Sequence, residues 1–296
     1  MVSWPPPGTR VTVRYRRPAG SIPPLTDAVG HLLDTEPLVR VQTKTGAVVQ
    51  FAAADVVAVR ALSDAPVRAS QIRGLEHAAA LAWPGVEQQW LDGWLLRAGH
   101  GVTACANSAV PLDTSASTAT IPAIVDWYIR RGLTPRLAIA DRLSPASGWY
   151  PQRLRFIGEQ PNAVLVREVH TAEPDPAIRL SDRPDDAWLQ LYQRDIPVDV
   201  LTAVVNGEHV FGIHADLAVA RASVTDAPDG TRWVGLSAMG TADGPLSEAL
   251  LAWGAVRGAT RGYVRILDDD HAAAVLAESL GFKLHHRARY FTPAAT

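Results

Sequence analysis

The chain has a single cysteine, almost no net charge and no long apolar run. Cys105 alone cannot form an intrachain disulfide, so the sequence suits a reducing compartment. The formal net charge of −2 argues against a general nucleic-acid binder, whose surface usually carries a strongly basic face. The apolar run from Phe51 to Val59 is too short to span a membrane, and Asp55 interrupts it.

The amino terminus, MVSWPPP, has no apolar core of the kind that a signal peptide requires. We therefore expect a cytoplasmic protein without membrane contact, and we do not expect nucleic acid as its principal partner. With 296 residues, of which 47% are apolar, the chain is long enough for two or three domains with ordinary cores.

Residues 1–62 are predicted to form a small all-β unit. Residues 10–15 and 38–42 alternate apolar and polar side chains with period two, and further strands are predicted at 47–51 and 55–59. This pattern resembles a Tudor-like small β-barrel. Such barrels often bind peptides or nucleic acid, and salt-dependent nucleic-acid binding through the barrel is a weaker alternative here.

The charge and the aromatic content of this first segment are both modest. Up to residue 60 it has seven Lys and Arg against four Asp and Glu, a local balance of +3. Its aromatic residues are Trp4, Tyr15 and Phe51, whereas a cage for methylated lysine needs several converging rings. The simplest interpretation is a barrel whose aromatic side chains serve its own packing.

Two further segments, 74–175 and 176–296, repeat one order of elements. In the first, a strand is predicted at 102–107, a helix from Thr120, a strand at 136–140, a second helical segment at 149–158 and a strand at 163–166. Two prolines and two acids at 173–176 are typical of an exposed linker between the copies.

In the second copy, the predicted order is strand 232–239, a glycine-containing turn, an amphipathic helix, strand 263–267 and another helix. Leu246, Ala249, Leu250 and Trp253 form the apolar stripe of the first helix, and we expect Ser247 on its wetter side. Asp270 follows the last strand, where it can cap the final helix.

Residues 235–241, 249–253 and 280–282 resemble matching segments of the GNAT N-acetyltransferase superfamily, and the span from residue 74 resembles its tandem-domain members. The fold class expected is α+β: a small all-β barrel followed by two tandem GNAT-like mixed α/β domains. The first of these two domains is expected to be degenerate and to form the acceptor side. The resemblance implies acetyl-CoA as cofactor. It assigns the cofactor to Ser237, Ala238, Met239, Gly240, Thr241, Gly244, Leu246, Ser247, Asp270 and Ala273.

The loop before the first helix of this copy departs from the family pattern. The family usually has Arg/Gln-x-x-Gly-x-Gly/Ala, whereas this chain has ADGPLS at 242–247, so Pro245 lacks an N–H and Asp243 adds negative charge. Asp270 replaces the usual asparagine, and Ala277 stands where a tyrosine often protonates the leaving thiolate. These departures make a catalytically inactive binding module for a protein or peptide the alternative to an N-acetyltransferase.

Candidate catalytic groups are few. Glu208 and His209, in a predicted turn, could accept a proton from an amine through water, although a solvated turn explains them equally well. Period-two alternation puts His285 and His286 on opposite faces of a strand, which favours surface histidines over a metal site, and no metal is expected. The acceptor is a small-molecule or peptide amine of unknown identity, and the oligomeric state is open.

Overall fold

The chain folds into two compact units, Met1–Val67 and Arg68–Thr296. The computed structural model describes residues 4–43, 45–62, 67–143, 151 and 154–294. The fold is α+β, as predicted, because the first unit is all-β and the second combines helices with a large mixed sheet.

The first unit is a five-stranded antiparallel sheet. Its strands are β1 (Arg10–Arg16), β2 (Leu25–Asp34), β3 (Val39–Thr43), β4 (Val48–Phe51) and β5 (Val56–Ala61). Their spatial order is β4-β3-β2-β1-β5. The buried side chains of Val11, Leu32 and Val41 lie in its core, and the rings of Tyr15 and Phe51 stack 3.9 Å apart. The four strands predicted from the sequence are confirmed to within two residues.

Strand β2 is not predicted from the sequence, because residues of low strand propensity interrupt its alternation of apolar and polar side chains. Asp27 and Gly30 are both depleted in strands. Gly30 is nevertheless required, because a Cβ atom there would stand 1.9 Å from the carbonyl oxygen of Gln42 on β3. The close approach of the β3 backbone therefore explains Gly30, and the same glycine interrupts the alternation from which a strand would be predicted.

The second unit contains six helices and eleven strands among the residues described. The helices are α1 (Ala69–Ala82), α2 (Ile121–Ile129), α3 (Asp186–Tyr192), α4 (Val198–Leu201), α5 (Gly244–Val256) and α6 (His271–Ser279). The strands are β6 (Glu87–Leu91), β7 (Trp94–Ala98), β8 (Val110–Pro111), β9 (Leu137–Ala140), β10 (Phe156–Glu168), β11 (Ile178–Ser181), β12 (Glu208–His214), β13 (Ala218–Asp226), β14 (Arg232–Ser237), β15 (Arg261–Leu267) and β16 (Lys283–Pro293).

Eight of these strands form one sheet in the order β11-β12-β13-β14-β15-β10-β16-β9, and β6, β7 and β8 form a separate small sheet. Neighbours in the large sheet are antiparallel except β14 and β15, which are parallel. Helix α5 packs on β12, β13 and β14, and its Leu250 joins Ala222 and Val234 in a core. Helix α1 packs on β13 and β14, and its Leu75 contacts the cluster that contains Trp233 and Tyr263.

The two predicted copies share this sheet. Strand β10 precedes residue 176, yet it lies between β15 and β16 and pairs with both. The boundary between 175 and 176 stays a prediction.

Parts of the first predicted copy differ from the expectation. Residues 102–107 form turns rather than a strand, and residues 156–158 belong to β10 rather than to a helix. The rest of the predicted helix, 149–155, lies outside the described residues except at positions 151, 154 and 155. Helix α2 and strand β9 are confirmed.

No helix among the described residues combines the length and the apolarity needed to cross a membrane.

Candidate active site

The parallel strands β14 and β15 separate towards their carboxyl ends. Their last paired residues are Leu236 and Val264. Beyond that point Ser237 pairs only with Arg221 of β13, while the end of β15, from Arg265, pairs only with β10. We call the opening beyond Leu236 and Val264 the sheet gap. It leaves backbone N–H and C=O groups of β14 available to a ligand.

Four residues assigned to the cofactor by resemblance follow each other along this edge. Ser237 ends β14, Ala238 has a φ of +48°, and the amide of Gly240 donates to the carbonyl oxygen of Val219 at 2.9 Å. The left-handed residue turns the chain away from the sheet, because φ > 0 is a turn conformation. Met239 is half-buried against the α5 core. The structure thus places the predicted backbone donors at the sheet gap.

The N-terminus of α5 is capped by the chain itself. The Asp243 carboxylate accepts the amide N–H of Leu246 at 2.7 Å and lies 3.0 Å from Nδ1 of His214. Pro245 in the first turn has no N–H. Ser247, which was expected on the wetter side, is buried, and its hydroxyl donates to the carbonyl oxygen of Asp243 at 2.7 Å. That expectation was wrong because the serine satisfies its hydroxyl within the helix turn.

The start of α5 lies close to the side of α6. A Cβ atom on Gly244 would be 3.8 Å from Cδ1 of Leu276 on α6. Asp270 caps α6 as predicted, accepting the amide of Ala273 at 3.0 Å. Thr241 is exposed in the loop. The residues assigned to the cofactor therefore lie at the end of β14, in the loop that follows it and at the starts of α5 and α6.

A buried cation lies behind Ser237. Nη1 of Arg221 donates to the hydroxyl oxygens of Ser237 and Ser223, at 3.3 and 3.4 Å. Nη2 donates to the carbonyl oxygens of Ala82 and Ala203. No carboxylate pairs with Arg221 among the residues that the structure describes, and its Nε has no acceptor. Burial lowers the pKa of the guanidinium to about 10, so it still carries its charge at neutral pH.

The candidate bases Glu208 and His209 lie on β12, which pairs with β13. They begin β12 instead of forming a turn. Glu208 pairs with Arg257 at 2.9 Å, and the ring of His209 contacts the carbonyl oxygen of Asp182 through Nε2 at 3.0 Å. Burial, followed by the charge of Arg221, lowers the pKa of His209. Glu208 is opposite Val224 and His209 is opposite Ser223, three and two residues along β13 from Arg221, the residue that pairs with Ser237.

A buried ion cluster that the sequence analysis missed lies on the α1 side of the sheet. Glu76 of α1 contacts Nη2 of Arg265 at 2.6 Å and Nε2 of His286 at 2.8 Å. Nδ1 of His285 is 2.7 Å from Nδ1 of His286. Burial favours the neutral acid, yet Arg265 and His286 together lower the pKa of Glu76 below its usual value.

The expectation that the two histidines face opposite sides was wrong because β16 contains a bulge. His286 is opposite Val164 and Leu284 is opposite Leu165, so His285 is an additional residue at this point of the strand. A bulge breaks the period-two alternation and allows neighbouring side chains to meet. His286 is buried rather than exposed. A one-residue register shift of this kind leaves no signal in the sequence.

Comparisons with known proteins agree with this architecture. Residues 69–291 match the family described as "Probable histone acetyltransferase Rv0428c C-terminal", and residues 5–60 match the "Rv0428c N-terminal Sm-like domain". The chain is 62% identical over 299 residues to "Probable histone acetyltransferase Rv0428c" of Mycobacterium tuberculosis, covering 98% of this chain and 96% of that relative.

Two solved structures are similar to the chain at low sequence identity. A GCN5-related N-acetyltransferase from Kribbella flavida is 14% identical, with a TM-score of 0.51 over 78% of this chain and 98% of its own. A putative GNAT acetyltransferase from Novosphingobium aromaticivorans is also 14% identical, with a TM-score of 0.49 over 75% of this chain and 99% of its own.

The sheet, in which α5 connects the parallel strands β14 and β15 and α6 follows them, has the acetyltransferase fold of the GNAT type. The chain belongs to the Rv0428c family of acetyltransferases, in which an N-terminal Sm-like domain precedes the catalytic-type fold.

Proposed function

We propose that the protein transfers an acetyl group from acetyl-CoA to an amine of a peptide or protein. The observation that carries the proposal is the sheet gap, where the pairing of β14 with β15 ends at Leu236, beside the buried cation Arg221. The name of the mycobacterial relative, a probable histone acetyltransferase, supports a protein amine as the acceptor.

The pantetheine arm fits the residues present. Backbone groups of Ser237, Ala238 and Met239 would bond its amides, since no strand competes for this edge beyond Leu236. Acetyl-CoA, when bound, would supply the acetyl group as a thioester; an ordinary thiol has a pKa of about 8.5, so a thiolate can leave without a dedicated acid. This agrees with Ala277, which is buried and cannot donate a proton.

The chain's own contribution is electrostatic. The amides of Ala238 and Met239, together with the charge of Arg221 behind Ser237, lie where negative charge develops during acyl transfer. Donors and charges that are fixed beforehand stabilise such charge without reorganisation. Neither Glu208 nor His209 is given a role in this proposal, because Glu208 is paired with Arg257 and Nε2 of His209 contacts the carbonyl oxygen of Asp182.

The residues present fit the diphosphate of acetyl-CoA less well than its pantetheine arm. The carboxylate of Asp243 already accepts the Leu246 amide at the start of α5, where this fold would be expected to attract phosphate. Diphosphate must therefore bind beside a like charge, or outside the first turn of α5. We expect acetyl-CoA to gain little affinity from its diphosphate compared with S-acetylpantetheine.

The test is transfer of isotope-labelled acetyl from acetyl-CoA to three matched peptides. One carries free lysine and a free α-amine, one has its lysine side chains already acetylated, and one has only its α-amine blocked. Label in the first and third peptides but not in the second supports lysine acetylation. Absence of label from all three, and from a panel of small amines, contradicts the proposal.

The capped helix also favours a second candidate function, a GNAT-fold module that binds a protein or peptide without catalysis. In that case the same peptides bind and remain unmodified, and acetyl-CoA does not compete with them. Binding that strengthens with acetyl-CoA would argue for the enzyme instead.

A further inference from the structure

Helix α3 lies beside the segment that follows β14. The indole N–H of Trp188 donates to the carbonyl oxygen of Ala220 on β13 at 3.3 Å. At the end of the helix, the carbonyl oxygen of Leu191 would stand 3.5 Å from a Cβ atom on Gly240, whose own amide donates to Val219. The last turn of α3 is therefore fixed next to the sheet gap.

The two faces of β13 separate α3 from α5. Ala220 and Ala222 of β13 pack in the core that contains Leu250 of α5. Val219 packs in another core with Tyr192, the last residue of α3. Alternate residues of a strand point to opposite faces of the sheet. A ligand that crosses the sheet gap from the start of α5 therefore has its far end on the side of Tyr192.

Tyr192 is a buried tyrosine whose hydroxyl is unused. The residue is 4% exposed, and its ring lies 4.7 Å from that of Trp188, centroid to centroid. The hydroxyl makes no hydrogen bond to any residue that the structure describes, and its oxygen is not sealed from solvent. Buried polar groups usually have a partner, because the loss of water must be compensated. A hydroxyl that remains accessible on a buried side chain can donate to a ligand.

The surroundings of this hydroxyl keep it protonated. Burial raises the pKa of Tyr192 above its ordinary value, and the charges of Arg194 and Arg221 oppose this only in part. A phenol that holds its proton at neutral pH is a hydrogen-bond donor, and it is a poor acid for a thiolate whose ordinary pKa is about 8.5. Since Arg221 also donates to the hydroxyl oxygen of Ser237, its charge acts on Tyr192 and on the end of β14 together.

We propose that Tyr192 is a catalytic residue whose hydroxyl donates a hydrogen bond to the carbonyl oxygen of the acetyl thioester. This oxygen gains negative charge when the amine attacks, and a donor that is fixed beforehand stabilises that charge. The phenol keeps its proton throughout, so no proton transfer takes place at this position. The inference rests on the proposed function, because it needs acetyl-CoA in the sheet gap.

The first test observes the carbonyl group directly, by isotope-edited infrared spectroscopy of acetyl-CoA with carbon-13 at its carbonyl. A hydrogen bond weakens a carbonyl bond, so the band of bound acetyl-CoA should lie at lower frequency in the wild type than in Tyr192→Phe. Tyr290→Phe is the matched control and should give the wild-type band. Tyr290 is also buried, its hydroxyl has no partner in the described part of the chain, and β10 separates its strand β16 from β15.

Steady-state kinetics with a lysine peptide supply the second readout. Tyr192→Phe should lower kcat by about 100-fold and leave the KM for acetyl-CoA nearly unchanged, as expected when one donor to a developing oxyanion is removed. Tyr290→Phe should keep the wild-type kcat. Thermal unfolding should be the same for the wild type and both variants, because neither hydroxyl has a partner to lose.

The outcomes separate this inference from the proposed function. The same carbonyl band in the wild type and in Tyr192→Phe overturns the role of Tyr192, whether or not acetyl is transferred. Transfer with an unchanged kcat in Tyr192→Phe, or an equal effect of Tyr290→Phe, overturns it as well. A band difference without transfer to any amine supports the contact and refutes the proposed function. Failure of acetyl-CoA to bind overturns both.

Discussion

Replacing Asp243 by asparagine should strengthen the binding of acetyl-CoA. The carboxylate of Asp243 accepts the amide of Leu246 at 2.7 Å, and asparagine offers an oxygen for the same bond, because the two residues cap helices about equally well. The substitution Asp243→Asn therefore leaves the start of α5 folded and removes one negative charge from the place where diphosphate would bind.

The magnitude follows from the distance between like charges. A diphosphate oxygen at this helix start would lie about 4 Å from the Asp243 carboxylate, where the repulsion is about 1 kcal/mol in water and about 4 kcal/mol at a protein surface of lower effective dielectric constant. The Asp243 side chain is 22% exposed, so water screens it only in part and the repulsion lies between these two limits. We expect a gain of about 1.5 kcal/mol, or roughly tenfold in affinity.

Calorimetry with two ligands tests this expectation. Acetyl-CoA should bind Asp243→Asn roughly tenfold more tightly than the wild type, whereas S-acetylpantetheine, which lacks the diphosphate, should bind both proteins alike. Asp185→Asn is the matched control, because Asp185 caps α3 in the same way through the amide of Trp188 and also pairs with an arginine. Equal affinity of acetyl-CoA for Asp243→Asn and wild type would refute the placement of diphosphate at α5.

The remaining predictions concern stability and domain structure. Glu76→Gln should lower the free energy of unfolding at pH 7 by about 3–5 kcal/mol in urea titrations, because Arg265 loses its buried counterion. The pKa of Glu76 is lowered in the folded state, so the wild type's advantage over this variant should be complete above about pH 5 and shrink as the pH falls; a constant difference would contradict the assignment. Gly235→Ala should cost about 1–3 kcal/mol, because its Cβ atom would stand 2.3 Å from the Tyr263 hydroxyl, and the cost should fall in a Tyr263→Val background. A fragment of residues 1–67 should unfold cooperatively by circular dichroism, and a featureless melt would contradict an independent first unit.

The elements with strong periodicity were predictable from the sequence. Helix α5 and the strands β14 and β15 carry long apolar patterns, and the capping residue Asp270 marks the start of α6. The predicted cofactor segment at 237–240 begins at the last residue of β14, so the prediction of this strand also predicted where the segment lies. Local sequence sufficed here because each feature depends on neighbours within a few residues.

Features that depend on distant contacts were not predictable. Gly30 breaks the pattern of β2 only because β3 approaches its backbone, and the bulge at His285 exists only in the register with β10. The ion cluster joins Glu76 to His286, which is 210 residues away along the chain. The position of β10 inside the sheet of the second predicted copy likewise depends on pairing, and no periodicity within 156–168 indicates its neighbours.

The central claim is that the sheet gap between β14 and β15 holds acetyl-CoA. Amide hydrogen exchange with and without acetyl-CoA tests it most directly, because the backbone of residues 237–240 can be followed by peptide. We predict slower exchange in that segment and at the starts of α5 and α6, with β6–β8 unchanged. Binding of acetyl-CoA that leaves residues 237–240 unprotected, or no change anywhere at millimolar cofactor, would contradict the account.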